Sequence, residues 1–216
     1  MAARTPELTA VVPAASRIFL LSPADCSGKR ARLLQEPDAD HDLARKLRGK
    51  DGAELGQVFS FVSSLYFRGK LAYARAFARP SRGQAGVHVI TPCDGLRAPE
   101  SPVGLRDLSL YAGVPVDPEE ERYREPLLRD LRALAPAWAQ AEVVLLGSIA
   151  SRKYSDLLTS VLGARLLFPS DFVGRGDMSR GGLMLRCVQE GRELRYVPLL
   201  GAKLRGRRPA RLPPVA

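Results

Sequence analysis

The chain has 216 residues, of which 45% are hydrophobic and 26% charged, so it can bury one substantial core and is not a low-complexity or fibrous sequence. No window approaches 18 uninterrupted apolar residues, which excludes a transmembrane helix, and the N-terminus lacks the apolar stretch of a signal peptide. The net charge is +10, and Lys203, Arg205, Arg207, Arg208 and Arg211 supply five of those charges after residue 201 without one acid.

Residues 1–15 hold Pro6, Pro13 and several small side chains and are expected to be disordered. Arg17–Leu21 (RIFLL) is a short apolar run closed by Ser22-Pro23, the pattern of a buried strand. A short helix is expected near Asp42–Arg48 with Asp40 as its cap, which also accounts for the acids around His41 better than a metal site does. From Ala53 to Ala78, Leu55, Val58, Phe59, Val62, Leu65 and Tyr66 recur at helical spacing, and Gly69 is expected to break or bend the helix.

Val87–Thr91 is a second strand, followed by the loop Cys93–Leu96. A helix is expected over Gly104–Tyr111 and another over Glu125–Ala141. Glu142–Leu146 reads as a third strand, Arg152–Leu162 as a helix with Ser151 as N-cap and Gly163 beyond its end, and Arg165–Phe168 as a fourth strand. Leu183–Val188 and Leu194–Val197 flank Glu190-Gly191 and suggest a C-terminal β-hairpin.

Strands alternating with helices predict an α/β fold with a largely parallel central sheet flanked by helices. The expected organisation is a disordered N-terminus (1–15), one α/β domain (16–201) and a basic flexible tail (202–216). In such a sheet ligands bind beyond the carboxyl ends of the strands, so Ser22–Lys29, Cys93–Leu96 and Gly147–Lys153 are the candidate loops.

Ser27-Gly28-Lys29 has the outline of a phosphate loop, but it holds one glycine where two are needed, and Arg30 stands where Ser or Thr should hold magnesium. Cys26 and Cys93 both follow strands; they are either nucleophiles facing one cleft or small hydrophobic residues at a sheet edge. His41 and His88 are the two histidines, which argues against a Ser-His-Asp or Cys-His arrangement. Acid–base work then falls to Lys29, Asp94, Lys153, Tyr154 or Asp177. Ser151–Tyr154 is an anion site or an ordinary helix start. Arg175 and Arg180 flank Asp177 in a glycine-rich segment suited to phosphate or nucleobase recognition, or to a plain surface loop. The tail residues Lys203, Arg205, Arg207 and Arg208 suit a polyanion. Three cysteines without disulfide or metal-ligand spacing point to a reducing compartment, hence cytoplasm, and no metal or cofactor is expected.

Several segments, in order, carry a resemblance. Leu20-Leu21-Ser22-Pro23-Ala24, Cys26–Lys29, Ser64–Lys70 with Tyr73-Ala74, Val89–Pro92 with Gly95-Leu96 and Pro99, Ser151–Tyr154, and Gly174–Arg180 together resemble the YaaA peroxide-stress family and its smaller relatives. The resemblance spans roughly residues 18–185. It implies nucleic-acid binding, DNA foremost, in the oxidative stress response or in base modification and repair. It also implies a cleft lined by Lys29, Asp94, Ser151, Lys153, Tyr154, Arg175 and Arg180. The other two readings are an enzyme acting on a small nucleobase or nucleotide, and a non-catalytic accessory protein. None of the three involves a membrane.

Overall fold

The computed structural model describes residues 15–149, 152–202, 206–207 and 209–210. The parallel core of the sheet is built from β1 (Ser16–Leu21), β3 (Val87–Ile90), β6 (Ala141–Leu146) and β7 (Leu166–Pro169). β4 (Leu96–Arg97) and β8 (Tyr196–Pro198) add antiparallel edges, giving the order β4-β3-β1-β6-β7-β8. A separate two-stranded ribbon pairs β2 (Ala53–Glu54) with β5 (Pro102–Val103).

The core strands are largely apolar because both faces of the sheet are covered, with Arg17, His88 and Glu142 at their beginnings. Phe19, Leu21, Val144 and Leu146 face one helical layer, formed by α1 (Lys29–Gln35), α2 (Asp42–Arg48), α3 (Leu55–Phe77), α4 (Leu105–Gly113) and α7 (Asp177–Gln189). Ile18, Leu20, Val143 and Leu145 face the other, formed by α5 (Glu121–Leu134) and α6 (Arg152–Leu162). The result is the α/β fold with a mostly parallel sheet that strand–helix alternation predicts. Among the described residues no helix is long and apolar enough to cross a membrane.

The boundaries differ in informative places. The segment 183–188 is not a strand: Leu183, Met184 and Cys187 fall on one buried helical face of α7. The C-terminal antiparallel pair does form, but its members are β7 and β8. The cap of α2 is His41, whose Nδ1 accepts from Ala44 N at 3.4 Å, while Asp40 pairs with Arg45. α5 starts at Glu121, four residues before the expected start, with Glu120 accepting from Arg122 N, and it ends before Pro136.

α3 kinks at Ser64 (φ 48°, ψ −128°) and runs helically through Gly69. Ser64 is the one non-glycine with positive φ among the described residues, a conformation that costs about 1–3 kcal/mol. Gly69 has a different role: a Cβ there would lie 2.6 Å from Gly181 O, and one on Gly181 would lie 2.7 Å from Leu65 O. The backbones of α3 and α7 therefore touch at this crossing, and two glycines permit it. Tyr73 clamps the C-terminal end, with its Oη 2.5 Å from Tyr196 Oη and accepting from Leu194 N at 2.7 Å. Beside it Arg17 bridges Glu142 and Glu193 and lies over the same Tyr196 ring.

Candidate active-site cleft

β1 connects to β3 on one side, whereas the chain after β3 crosses to β6 on the other. The sheet therefore changes direction between β1 and β6, and a crevice must open beyond their carboxyl ends. A cleft of about 560 Å³ lies there. Its walls are the β1 loop from Ser22 to Ser27, Ser63 and Tyr66 of α3, Pro92 after β3, and the segment Tyr111–Val116. Ser148 after β6, Lys153 and Tyr154 of α6, and Asp177 at the start of α7 complete it. The volume suits a small organic ligand.

In the β1 loop, Asp25 Oδ1 accepts from Ser27 Oγ at 2.6 Å and from Ser27 N at 3.0 Å. These hydrogen bonds hold the Asp25 carboxyl below its usual range, and Lys153 across the cleft adds to the effect. Cys26 lines the same wall, but its thiol is buried, its Sγ faces Ala24 O at 3.7 Å, and burial pushes its pKa up to about 12. Such a thiol is a small apolar side chain and not a nucleophile.

The residue that organises the cleft floor is Lys70. Its side chain is fully buried, between the rings of Tyr66 (4.6 Å) and Phe67 (4.7 Å). Its Nζ donates to Ser22 O at 2.5 Å and lies 2.9 Å from Ser22 Oγ. Burial lowers its pKa to about 7, with Asp177 opposing at longer range. Tyr66 is also buried; among the described residues its Oη makes no hydrogen bond of good geometry, and the Arg180 guanidinium is the group that approaches it. Tyr154 is held protonated, its pKa pushed up to about 12 by burial against a smaller opposing effect of Ser22.

The predicted residues sort into distinct positions. Lys153 and Tyr154 line the cleft. Lys29 sits exposed at the start of α1, outside the lining. Asp94 stands one layer back and accepts from Tyr111 Oη at 2.7 Å and from Arg97 at 3.3 Å, so it positions a cleft tyrosine. Arg175 is tied to Asp171 O and Ser179 Oγ. Arg180 is buried, donating to Phe172 O and pairing with Asp177 at 3.1 Å. It braces the first turn of α7 and so fixes Asp177 at the rim. Arg207 is exposed, beside Gly174; Ser151, Lys203, Arg205 and Arg208 lie outside the described residues.

Lys70 and Ser22 are absent from the predicted set. A signal for Lys70 exists: Val62, Tyr66, Lys70 and Ala74 follow one another at four-residue steps, placing a lysine on the apolar stripe of α3. Neither histidine approaches the cleft lining: His41 stacks on Phe61 and His88 packs on Trp138. Among the described residues no three His, Cys, Asp or Glu side chains gather as metal ligands. A scan of family models, a search of the curated proteins and a search of the solved structures each found no match to this chain.

Proposed function

We propose that the protein is an enzyme acting on a nucleobase-type ligand, a free base, nucleoside or nucleotide, bound in the cleft between β1 and β6. The observation that carries this reading is the lining: Tyr66, Tyr111 and Tyr154 surround a space of about 560 Å³. Aromatic walls suit a planar heterocycle, phenols and Asp25 suit its polar edge, and Lys153 at the rim suits an attached phosphate. The YaaA-like segments point to the same ligand class.

A thermal-shift screen with nucleosides, deazapurines, nucleotides and inorganic phosphate tests the reading. A true ligand at a hundredfold excess over its Kd stabilises by about 2.7 kcal/mol, or roughly 5–10 °C in a chain of this size. Lys153→Ala is expected to remove the extra shift given by phosphorylated ligands. A flat screen would overturn the reading.

A second reading, nucleic-acid binding with DNA favoured, has one observation in its support. Gly206 and Arg207 lie against Val173 and Gly174, next to the segment that leads to Asp177 at the cleft rim. Basic residues anchored there would hold a phosphate backbone while a base entered the cleft. Fluorescence anisotropy with double-stranded DNA, single-stranded DNA and RNA across a salt series is expected to show a steep salt slope, reduced on removal of residues 203–216. Absence of binding at low salt would eliminate this reading.

A further inference from the structure

Ser22 follows the last residue of β1 and forms part of the cleft wall. Behind it, Lys70 makes its two hydrogen bonds to this one residue, through Ser22 O at 2.5 Å and Ser22 Oγ at 2.9 Å. Among the described residues no carboxylate forms a salt bridge with the amine. A buried lysine kept for stability alone is ordinarily paired with an acid. This one is partnered with the hydroxyl of Ser22, a residue that lines the cleft and is itself 2% exposed. A hydroxyl becomes a nucleophile when an adjacent base takes its proton, and serine–lysine pairs are one established form of that arrangement.

We propose that Ser22 and Lys70 form a nucleophile–base pair that cleaves a carboxylic ester or amide bond in the cleft ligand. The proposal rests on the reading that the cleft takes a ligand and specifies the bond attacked. With the amine neutral, one N–H stays on Ser22 O and the nitrogen lone pair accepts the Ser22 hydroxyl hydrogen. Ser22 Oγ bonds to the acyl carbon, the carbonyl π pair moves onto its oxygen, and Lys70 keeps the proton. When the tetrahedral adduct collapses, the bond from the acyl carbon to the alcohol or amine breaks, and Lys70 delivers the proton to that leaving group. Water completes the cycle: it gives a proton to Lys70, its oxygen bonds to the acyl carbon, and the Ser22 oxygen leaves and regains the proton. The sum is an ester or amide plus water giving a carboxylic acid and an alcohol or amine.

Three features of the cleft fit this chemistry. Lys70 is neutral in half the molecules near pH 7, because burial dominates over the charge of Asp177. Burial raises the phenols that face it, Tyr66 on its own helix and Tyr154 of α6, and Arg180 of α7 is paired with Asp177. The Tyr66 phenol, approached by the Arg180 guanidinium, lies in the same wall and offers its O–H to the carbonyl oxygen as that oxygen gains charge.

The test is covalent labelling of the full chain with a short-chain alkyl fluorophosphonate, followed by intact mass and peptide mapping, from pH 5 to pH 9. One adduct is expected, on Ser22, with a rate that rises about tenfold per pH unit and levels off near pH 7. Ser22→Ala should abolish it, Lys70→Met should slow it at least a hundredfold, and Ser160→Ala, at an exposed position of α6 outside the cleft lining, should leave it unchanged. If Lys70→Met does not fold, the pH profile of the native protein decides. No adduct at pH 8, an adduct elsewhere, or a Ser22 rate without a break near pH 7 would overturn the pair. The nucleoside thermal shift, repeated on Ser22→Ala, separates the two readings. A retained shift without labelling removes the pair alone; labelling at Ser22 without any nucleoside shift removes the ligand class alone.

Discussion

Gly69→Ala is expected to destabilise the protein by about 2–3 kcal/mol, although alanine is by nature the better helix former by about 1 kcal/mol. The added methyl would lie 2.6 Å from Gly181 O and 2.9 Å from Gly181 Cα. Both are backbone atoms inside a helix, so no side-chain rotation relieves the contact, and α7 as a whole must move away. That movement carries Asp177 and Arg180 with it, so the cleft rim and the Tyr66 environment should change as well. Gly182→Ala is the internal comparison: it lies in the same helix, but its added Cβ would meet nothing within 4 Å. It is expected to be neutral or to stabilise by up to about 1 kcal/mol. Thermal unfolding of both variants beside the native chain gives the measurement, with a fall in Tm of roughly 4–12 °C for Gly69→Ala and none for Gly182→Ala. Equal, small effects would mean that the two helix backbones are not in contact.

The second large effect is the part of the pH dependence of stability that comes from Lys70. In the unfolded chain its pKa is the ordinary 10.5, and in the folded protein it is about 7. Below pH 7 the amine is charged in both states, and the folded state bears the whole cost of burying that charge. Between pH 7 and 10.5 the unfolded chain holds the proton while the folded protein releases it, so stability rises with pH across this interval. The gain between pH 7 and pH 9 is about 2–3 kcal/mol. Cys26, whose pKa rises on folding, acts in the opposite direction as pH approaches 9. The informative quantity is therefore the difference between the native protein and Lys70→Met, which keeps Cys26 in both. Urea denaturation of the pair at pH 6, 7, 8 and 9 should show the native chain gaining on the variant with each step above 7. Loss of the hydrogen bonds to Ser22 adds a constant offset to that difference without changing its slope. A difference that stays flat would mean the lysine keeps its ordinary affinity for protons.

The fold was legible because the strands are covered on both faces. Four short runs rich in apolar residues, three of them closed by Ser-Pro, Pro or Gly just beyond the strand, identify parallel core strands almost to the residue. The segment 183–188 misled because its apolar residues are too few and too close together to separate a spacing of two from a spacing of four without the helix that contacts them. The kink at Ser64 has no sequence signal, since serine is not a residue that prefers positive φ. The cleft loops were partly legible from topology: Ser22–Lys29 and Gly147–Lys153 supply walls, but no residue of Cys93–Leu96 does, since Pro92 stands there and Asp94 acts from behind Tyr111. Arg175 and Arg180 looked like free cations because sequence shows charge and not the carbonyls that charge will meet. Lys70 was visible only as a charged residue out of place on an apolar stripe, and its meaning depends on Ser22, which lies 48 positions away.

The two edges of the main sheet bear on how copies of this chain meet in concentrated solution. Each central strand would template a neighbour if its backbone were open, for it is apolar and extended. The strands that stand outermost are two and three residues long, run against the central direction, and on one side end in Pro198, which has no N–H to give. A foreign strand finds at most one or two hydrogen bonds at either margin before the ladder stops. Deleting β8 would lift that restriction by exposing β7, so the measure of its value is the protein's tendency to self-associate and not its melting temperature.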